Sequence, residues 1–238
     1  MSATYPHLLS PVKVGGLVFR NRLFTAPIGL HSLQGSEPYP TEAVIAHFAN
    51  KARGGAGCVT CSGLSIFPVE QDLSGHATWD AYHEPNLHHL AQLAERIHFH
   101  GARASMELGV AGVVGGAYGA SEGITLMAGN TAQEMPETEM ERIADGYAAA
   151  ALALRETGFD MALLHFGHGL LVGQFLSPLT NRRSDGFGGS LANRARFPMM
   201  IIDRIRRKVG RRLLLEVRIS GSEIAPGGIA IEEAIELT

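Results

Sequence analysis

The sequence predicts an α/β chain whose strands run parallel and curl toward a (β/α)8 barrel. Three observations predict it. Strand-like and helix-like runs alternate along the whole chain. The strand-like runs are almost continuously apolar, as strands buried on both faces are. No G-x-G-x-x-G follows the first strand, where the chain reads IGLHSLQGSEPYP from Ile28. That argues against a doubly wound dinucleotide-binding sheet. Polar residues just past strand ends, namely His165, His168, the Gln174 region and Ser220, suit a barrel mouth instead.

The elements follow in order. Arg22–Pro27 reads as a short strand. Thr41–Arg53 reads as a helix capped by Thr41 and stopped by Gly54-Gly55. Gly57–Ser62 is a strand, Pro85–His100 a helix with apolar residues at helical spacing, and Arg103–Leu108 a strand. Glu137–Thr157 is a long helix closed by Gly158, and Asp160–His165 is a strand. Ser190 caps a helix that runs to Val209 and Gly210. Leu213–Ile219 is a strand, and Ile231–Thr238 opens another helix.

That gives about five of the eight β/α units of a barrel in one domain, residues 1–238. The remaining length lies in long loops: Ile28–Pro40, Gly63–Glu84, Gly109–Pro136 and Phe166–Gly189. Three readings are open: the polypeptide continues, a second chain completes the barrel, or the barrel is partial. Each leaves the first and fifth strands as edges in this segment, and a homo-oligomer or a completing chain is expected. The apolar Ile201, Ile202 and Ile205 are expected to await cover from the missing part.

Composition bounds the rest. With 45% hydrophobic and 18% charged residues and 29 glycines, a packed domain fits and disorder does not. The net charge of −3 gives no electrostatic case for nucleic acid or an anionic membrane. The first residues carry no apolar run of signal-peptide type, and the Gly-rich run Leu108–Ala117 is too short to cross a bilayer. A cytoplasmic protein acting on a small molecule is expected. Cys58 and Cys61 form a C-x-x-C, but on a strand they point to opposite faces, so a structural role is expected and no metal site.

Two histidines three residues apart, at the end of a strand, admit a buried hydrogen-bonded pair or a functional site. The stretch that follows them decides. HFGHGLLVGQFLSPLTNRRSDGFGGSLANRARF resembles the signature of the old yellow enzyme family of FMN-dependent oxidoreductases. It is most similar to the NADH:flavin oxidoreductase branch with 2,4-dienoyl-CoA reductases, enoate reductases and trimethylamine dehydrogenase. LLSPVKVGGLVFRNRLFTAP, ARGGAG, RETGFD and VRIS match in the same order. The resemblance covers the whole chain and corresponds to the first two-thirds or so of the family's barrel.

The resemblance implies a flavin enzyme of ene-reductase type, in which His165 and His168 donate hydrogen bonds to a substrate carbonyl stacked over the ring. Reduced FMN then passes hydride to a conjugated double bond, with NAD(P)H as electron donor. It places backbone at Pro27, Ile28 and Gly29 against the flavin edge, Gly63 at a similar place after the second strand, and Arg218 beside the pyrimidine edge. For Arg218 the bland alternative is a salt bridge to Glu216 on the same strand face. The loop Gln174–Gly189, with Asn181, Arg182, Arg183 and Asp185, is expected to be structural.

Three departures bear on this. Glu107 stands where the family commonly has a flavin-bonding glutamine, and a carboxylate accepts but does not donate. GVAG at Gly109–Gly112 lacks a histidine common in the family. Leu170 takes the place of the tyrosine that protonates the product in many ene-reductases, which leaves Tyr118, Tyr39 or solvent as donor, or points to amine oxidation or N-demethylation. The loops that hold the FMN phosphate in the family, and any iron–sulfur ligands, would lie beyond Thr238. A non-catalytic, truncated partner subunit is the remaining alternative.

Overall fold

The computed structural model describes residues 5–35, 37–68, 79–110, 118–124 and 131–238. In chain order its elements are α1 (Pro6–Leu9), β1 (Val12–Val14), β2 (Leu17–Phe19), β3 (Phe24–Thr25), α2 (His31–Gln34), α3 (Glu42–Arg53), β4 (Cys58–Ser65) and β5 (Trp79–Asp80). They continue as α4 (Glu84–Phe99), β6 (Arg103–Leu108), β7 (Tyr118–Gly119), β8 (Gln133–Glu134), α5 (Glu137–Glu156) and β9 (Met161–Phe166). The chain closes with α6 (Leu171–Leu176), α7 (Leu191–Arg194), α8 (Arg196–Val209), β10 (Leu214–Ile219) and α9 (Ile231–Glu236).

The main sheet runs β3-β4-β6-β9-β10, all parallel and in sequence order, with the two-residue β5 added beside β4. This is the expected series of parallel strands in a curved half of a barrel, plus one short strand that the sequence pattern does not reveal. The parts of the expected Leu108–Ala117 run and of GVAG beyond Val110 lie outside the described residues.

Register sorts the side chains into two cores. Cys58 pairs with Arg103, Ser105 with Met161, and Met161 with Leu214, so these share the concave face. Val59, Cys61, Ala104, Met106, Ala162 and Leu164 point the other way and are buried under the helices. At the end where strands begin, the hairpin β1–β2 turns at Gly15-Gly16 and packs Phe19 onto Cys58 and Met161. The cysteines therefore belong to separate cores, both free and buried. Burial, with Glu216 and Asp160 adding to it, pushes the Cys58 thiol up to about 12.

The helix ends follow the local chemistry. The Val44 N–H donates to Thr41 Oγ1 at 3.3 Å, and the Asn193 N–H donates to Ser190 Oγ at 3.3 Å. The helix expected from Ser190 to Val209 is broken at Ala195 into α7 and α8. A second expectation fails in part: Ile201 and Ile205 are fully buried, because α8 packs its apolar stripe along α5. The edges do remain open, with Phe24 on β3 and Val217 on β10 both about two-fifths exposed.

Asp160, just before β9, ties the lower rim together. It accepts from His98 Nε2 at 2.6 Å, from Arg103 Nη1 at 2.9 Å and from the Ala104 N–H at 2.9 Å. Burial pushes this carboxyl up, but the bonds from His98 and Ala104 and the charges of His98 and Arg103 outweigh it and hold the group below the ordinary carboxylate range. A lowered carboxyl stabilises the fold above its unfolded pKa and loses that contribution as pH falls through the folded one. Asp160→Asn is therefore expected to cost about 2 kcal/mol at neutral pH, the size of lost charge-assisted hydrogen bonds. In urea titrations the gap from wild type should close as pH drops through the carboxylate range; a gap that does not depend on pH contradicts the assignment.

Candidate functional site

The site is built at the opposite rim, where strands end. His165 is the fifth residue of β9, and its register partner on β10 is Arg218. Glu107 on β6 pairs with Leu163, one step deeper on the same face, and Leu163 pairs with Glu216. The concave face thus carries Glu107 and Glu216 in one layer and His165 and Arg218 in the next.

His168 joins them by way of the turn Gly167–Leu170. The Leu170 N–H donates to the Gly167 carbonyl at 3.1 Å, and φ is +56° at His168 and +72° at Gly169. Positive φ at both central positions is what a type I′ turn requires. Glycine accepts this at no steric cost. Histidine does so at a cost of about 1 kcal/mol, the kind of strain that concentrates at functional sites. The return is that the His168 ring comes back over β9 and meets His165 edge to face, with centroids 4.6 Å apart.

Their contacts form one chain. The Gly167 N–H donates to His165 Nδ1 at 3.3 Å. His165 Nε2 lies 3.1 Å from His168 Nδ1 and 3.9 Å from Glu107 Oε1. His168 Nε2 lies 3.3 Å from Arg218 Nη2. His165 is buried and His168 exposed. Burial, then the neighbouring His168 and Arg218, push His165 down to about 4, so at neutral pH it is uncharged and its approach to Glu107 is a polar contact, not an ion pair. Burial pushes Glu107 up, against a hydrogen bond from Ser62 and the charges of Arg218 and His168. Burial also raises Glu216, against Arg218.

The salt bridge weighed for Arg218 is absent: among the described residues no carboxylate lies within 4 Å of it, and its partner is His168. Pro27, Ile28 and Gly29 follow β3 at the same rim, Pro27 half-buried and the other two exposed, and among the described residues no side-chain hydrogen bond joins them to the cluster. Gly63 sits within β4 at φ +114°, where the β4–β6 register shifts between Cys61 and Leu64. That is an irregularity of the kind that lets backbone approach a ligand. Two participants escape sequence reading. Ser62 reaches Glu107 across the strands, and the Gly167 N–H donates to His165 Nδ1. Inward alternation along β4 is the signal for Ser62; nothing in the residue types announces Gly167.

The loop beyond the site is a scaffold. Asn181 Nδ2 donates to the carbonyls of Phe175 and Phe187, both at 2.7 Å. Arg183 donates to the carbonyls of Ala120 and Met135 and clasps Asp185. Gly188 is forced, since a Cβ there would stand 2.1 Å from the Arg183 carbonyl oxygen.

A family profile, NADH:flavin oxidoreductase / NADH oxidase, matches residues 7–238. An NADH oxidase of Thermoanaerobacter brockii is 31% identical over 98% of this chain, which spans 37% of that relative. An NADPH dehydrogenase of Halalkalibacterium halodurans is 31% identical over 97% of the chain, here 68% of the relative. Among solved structures, a 2-naphthoyl-CoA reductase complex superposes with a TM-score of 0.86 at 26% identity, over 98% of this chain and 38% of that one. The old yellow enzyme of a Pichia species superposes at 0.81 and 24% identity, which supports the (β/α)8-barrel fold. The chain belongs to the NADH:flavin oxidoreductase / NADH oxidase family.

Proposed function

We propose that this chain supplies the substrate-facing half of an FMN-dependent oxidoreductase that transfers hydride between the flavin and an unsaturated carbonyl or enoate-type substrate, with NAD(P)H as electron donor. The observation that carries it is the surplus of donors at the rim: Arg218, His168 and His165 converge and, among the described residues, no carboxylate is salt-bridged to Arg218. Such a set favours oxygen or nitrogen atoms that gain negative charge.

The residues fit a flavin. Arg218 would hold a fixed positive charge beside a pyrimidine edge, and Glu107 would accept from a ring N–H. The positive φ of Gly63 and the open backbone of Pro27, Ile28 and Gly29 leave room for a flat ring against the main chain. When bound, the flavin supplies the hydride chemistry. His165 and His168 orient the substrate carbonyl and polarise it by hydrogen bonding. The phosphate would be held by barrel loops after the seventh and eighth strands, contributed by a longer polypeptide or a completing chain.

A second reading, amine oxidation, rests on Leu170. Its side chain lies against Gly109 at the rim and has no proton to give, and an oxidation needs no such donor.

Arg218→Leu tests the assignment in a polypeptide that carries the rest of the barrel. Flavin affinity is expected to fall about tenfold or more, as for loss of a charge-assisted bond. Turnover of an α,β-unsaturated carbonyl, or of an amine, separates the two readings. A polypeptide that binds no flavin refutes the proposal and leaves a non-catalytic partner subunit; an unchanged affinity removes Arg218 from the flavin site.

A further inference from the structure

We infer that Glu107 is a positioning residue: its carboxylate selects which ring nitrogen of His165 carries the proton, and through that which donor His168 presents at the barrel mouth. The inference deepens the hydride-transfer reading, on which its relevance to a reaction rests.

The protons of the histidine pair can be counted from its two ends. At one end of the histidine pair stands the Gly167 N–H, which only donates, at 3.3 Å from His165 Nδ1. At the other stands the Arg218 guanidinium, which also only donates, at 3.3 Å from His168 Nε2. Between them are four ring nitrogens and, for two neutral imidazoles, two protons. Were both end donors satisfied, both protons would sit on the facing nitrogens, His165 Nε2 and His168 Nδ1. Those lie 3.1 Å apart, in hydrogen-bond contact. One link must therefore fail.

Two arrangements keep the central bond. In the first, His165 carries its proton on Nε2 and donates to His168 Nδ1. The bond from Gly167 is kept, and His168 Nε2–H and Arg218 are both left free to donate elsewhere. In the second, the direction reverses: Arg218 donates to His168, His168 donates to His165, and the Gly167 N–H is opposed by a proton on Nδ1. Only the first presents a histidine N–H at the mouth.

Glu107 chooses between them. Its Oε1 lies 3.9 Å from His165 Nε2, the nitrogen that is N–H in the first arrangement and a lone pair in the second. An ionised carboxylate attracts the one and repels the other. The groups facing Glu107 are Ser62 on β4, the two histidines, and Arg218 and Glu216 on β10; the Tyr147 hydroxyl on α5 feels its charge from behind. Burial raises Glu107, so its charge, and with it the preference, weakens as pH falls.

Magic-angle-spinning NMR of the 238-residue chain labelled with 15N-histidine reads the tautomers directly, whatever the state of association. His165 and His168 resonances are identified by their loss in His165→Asn and His168→Asn. At about pH 8, above the ordinary carboxylate and imidazole ranges, wild type is expected to hold His165 as Nε2–H. In Glu107→Gln the ratio of Nε2–H to Nδ1–H is expected to fall about tenfold or more, the effect of one charge on a polar N–H across about 4 Å of partly buried protein. Adding Arg218→Leu to Glu107→Gln removes the opposing donor and should return the Nε2–H form. An unmoved His165 in Glu107→Gln, with wild-type circular dichroism, overturns the inference. So does a double variant that stays with the Nδ1–H form. The measurement needs no flavin, so its failure is distinct from a failure of Arg218→Leu to weaken flavin binding.

Discussion

In a polypeptide that carries the rest of the barrel, replacing His165 and His168 together by alanine is expected to lower turnover by about 10²-fold or more while flavin stays bound. Among the described residues the two rings and Arg218 are the side-chain N–H groups that hydrogen-bond contacts join at the rim, and nothing else on β9 offers a side-chain N–H there. Loss of one ring alone should cost less, because under the proposed function the survivor would keep one bond to the carbonyl. It should also shift the pH profile, since His168 and Arg218 are what hold His165 down, after burial. Steady-state rates with an absorbance check of flavin content decide the matter. Full turnover with retained flavin removes both histidines from the reaction.

The largest expected loss of stability comes from Arg183. Its side chain is 6% exposed, against 46% for Asp185. The ion pair at 2.6 Å is therefore partly screened, and most of the cost lies with the carbonyls. Arg183 Nη1 donates to Met135 at 2.9 Å and Ala120 at 3.2 Å, and no water-facing route replaces it. Arg183→Ala is expected to destabilise the chain by about 3 kcal/mol, from two orphaned buried acceptors and lost packing against Phe175. Arg183→Lys should recover little, because an ammonium cannot reproduce the fork. Urea midpoints measure it; a change within about 0.5 kcal/mol would make the loop's polar network dispensable.

The parts of this fold legible in the sequence are those governed by period and punctuation. Arg103–Leu108 is a strand at both levels, and Thr41 and Ser190 cap the helices they announce. What escaped depends on contacts distant in sequence. Trp79-Asp80 becomes a strand only because β4 offers an edge. The helix from Ser190 breaks at Ala195, which then opens α8, and Pro198 in the first turn of α8 has no N–H for the Arg194 carbonyl, a local signal that a reading by apolar period passes over. Covering of Ile201 and Ile205 by α5 is a matter of packing, invisible to a helix read alone. In the site, residue types and alternation place His165, Glu107 and Arg218 on one face. The aim of His168 is set by a left-handed backbone that only the Gly on either side hints at.

The order β3-β4-β6-β9-β10 has a consequence for how the molecule comes into being. Each strand of the series lies beside its predecessor in the chain, so every β/α unit leaving the ribosome finds its docking surface already made. Growth can proceed by accretion, with no long loop closed before a contact rewards it. The chemistry, however, arrives late. Glu107 enters with the third of these strands and the histidines with the fourth, and the guanidinium that completes the donor set comes only when the fifth is laid down. A nascent chain halted before Arg218 would hold most of its core and only part of its site.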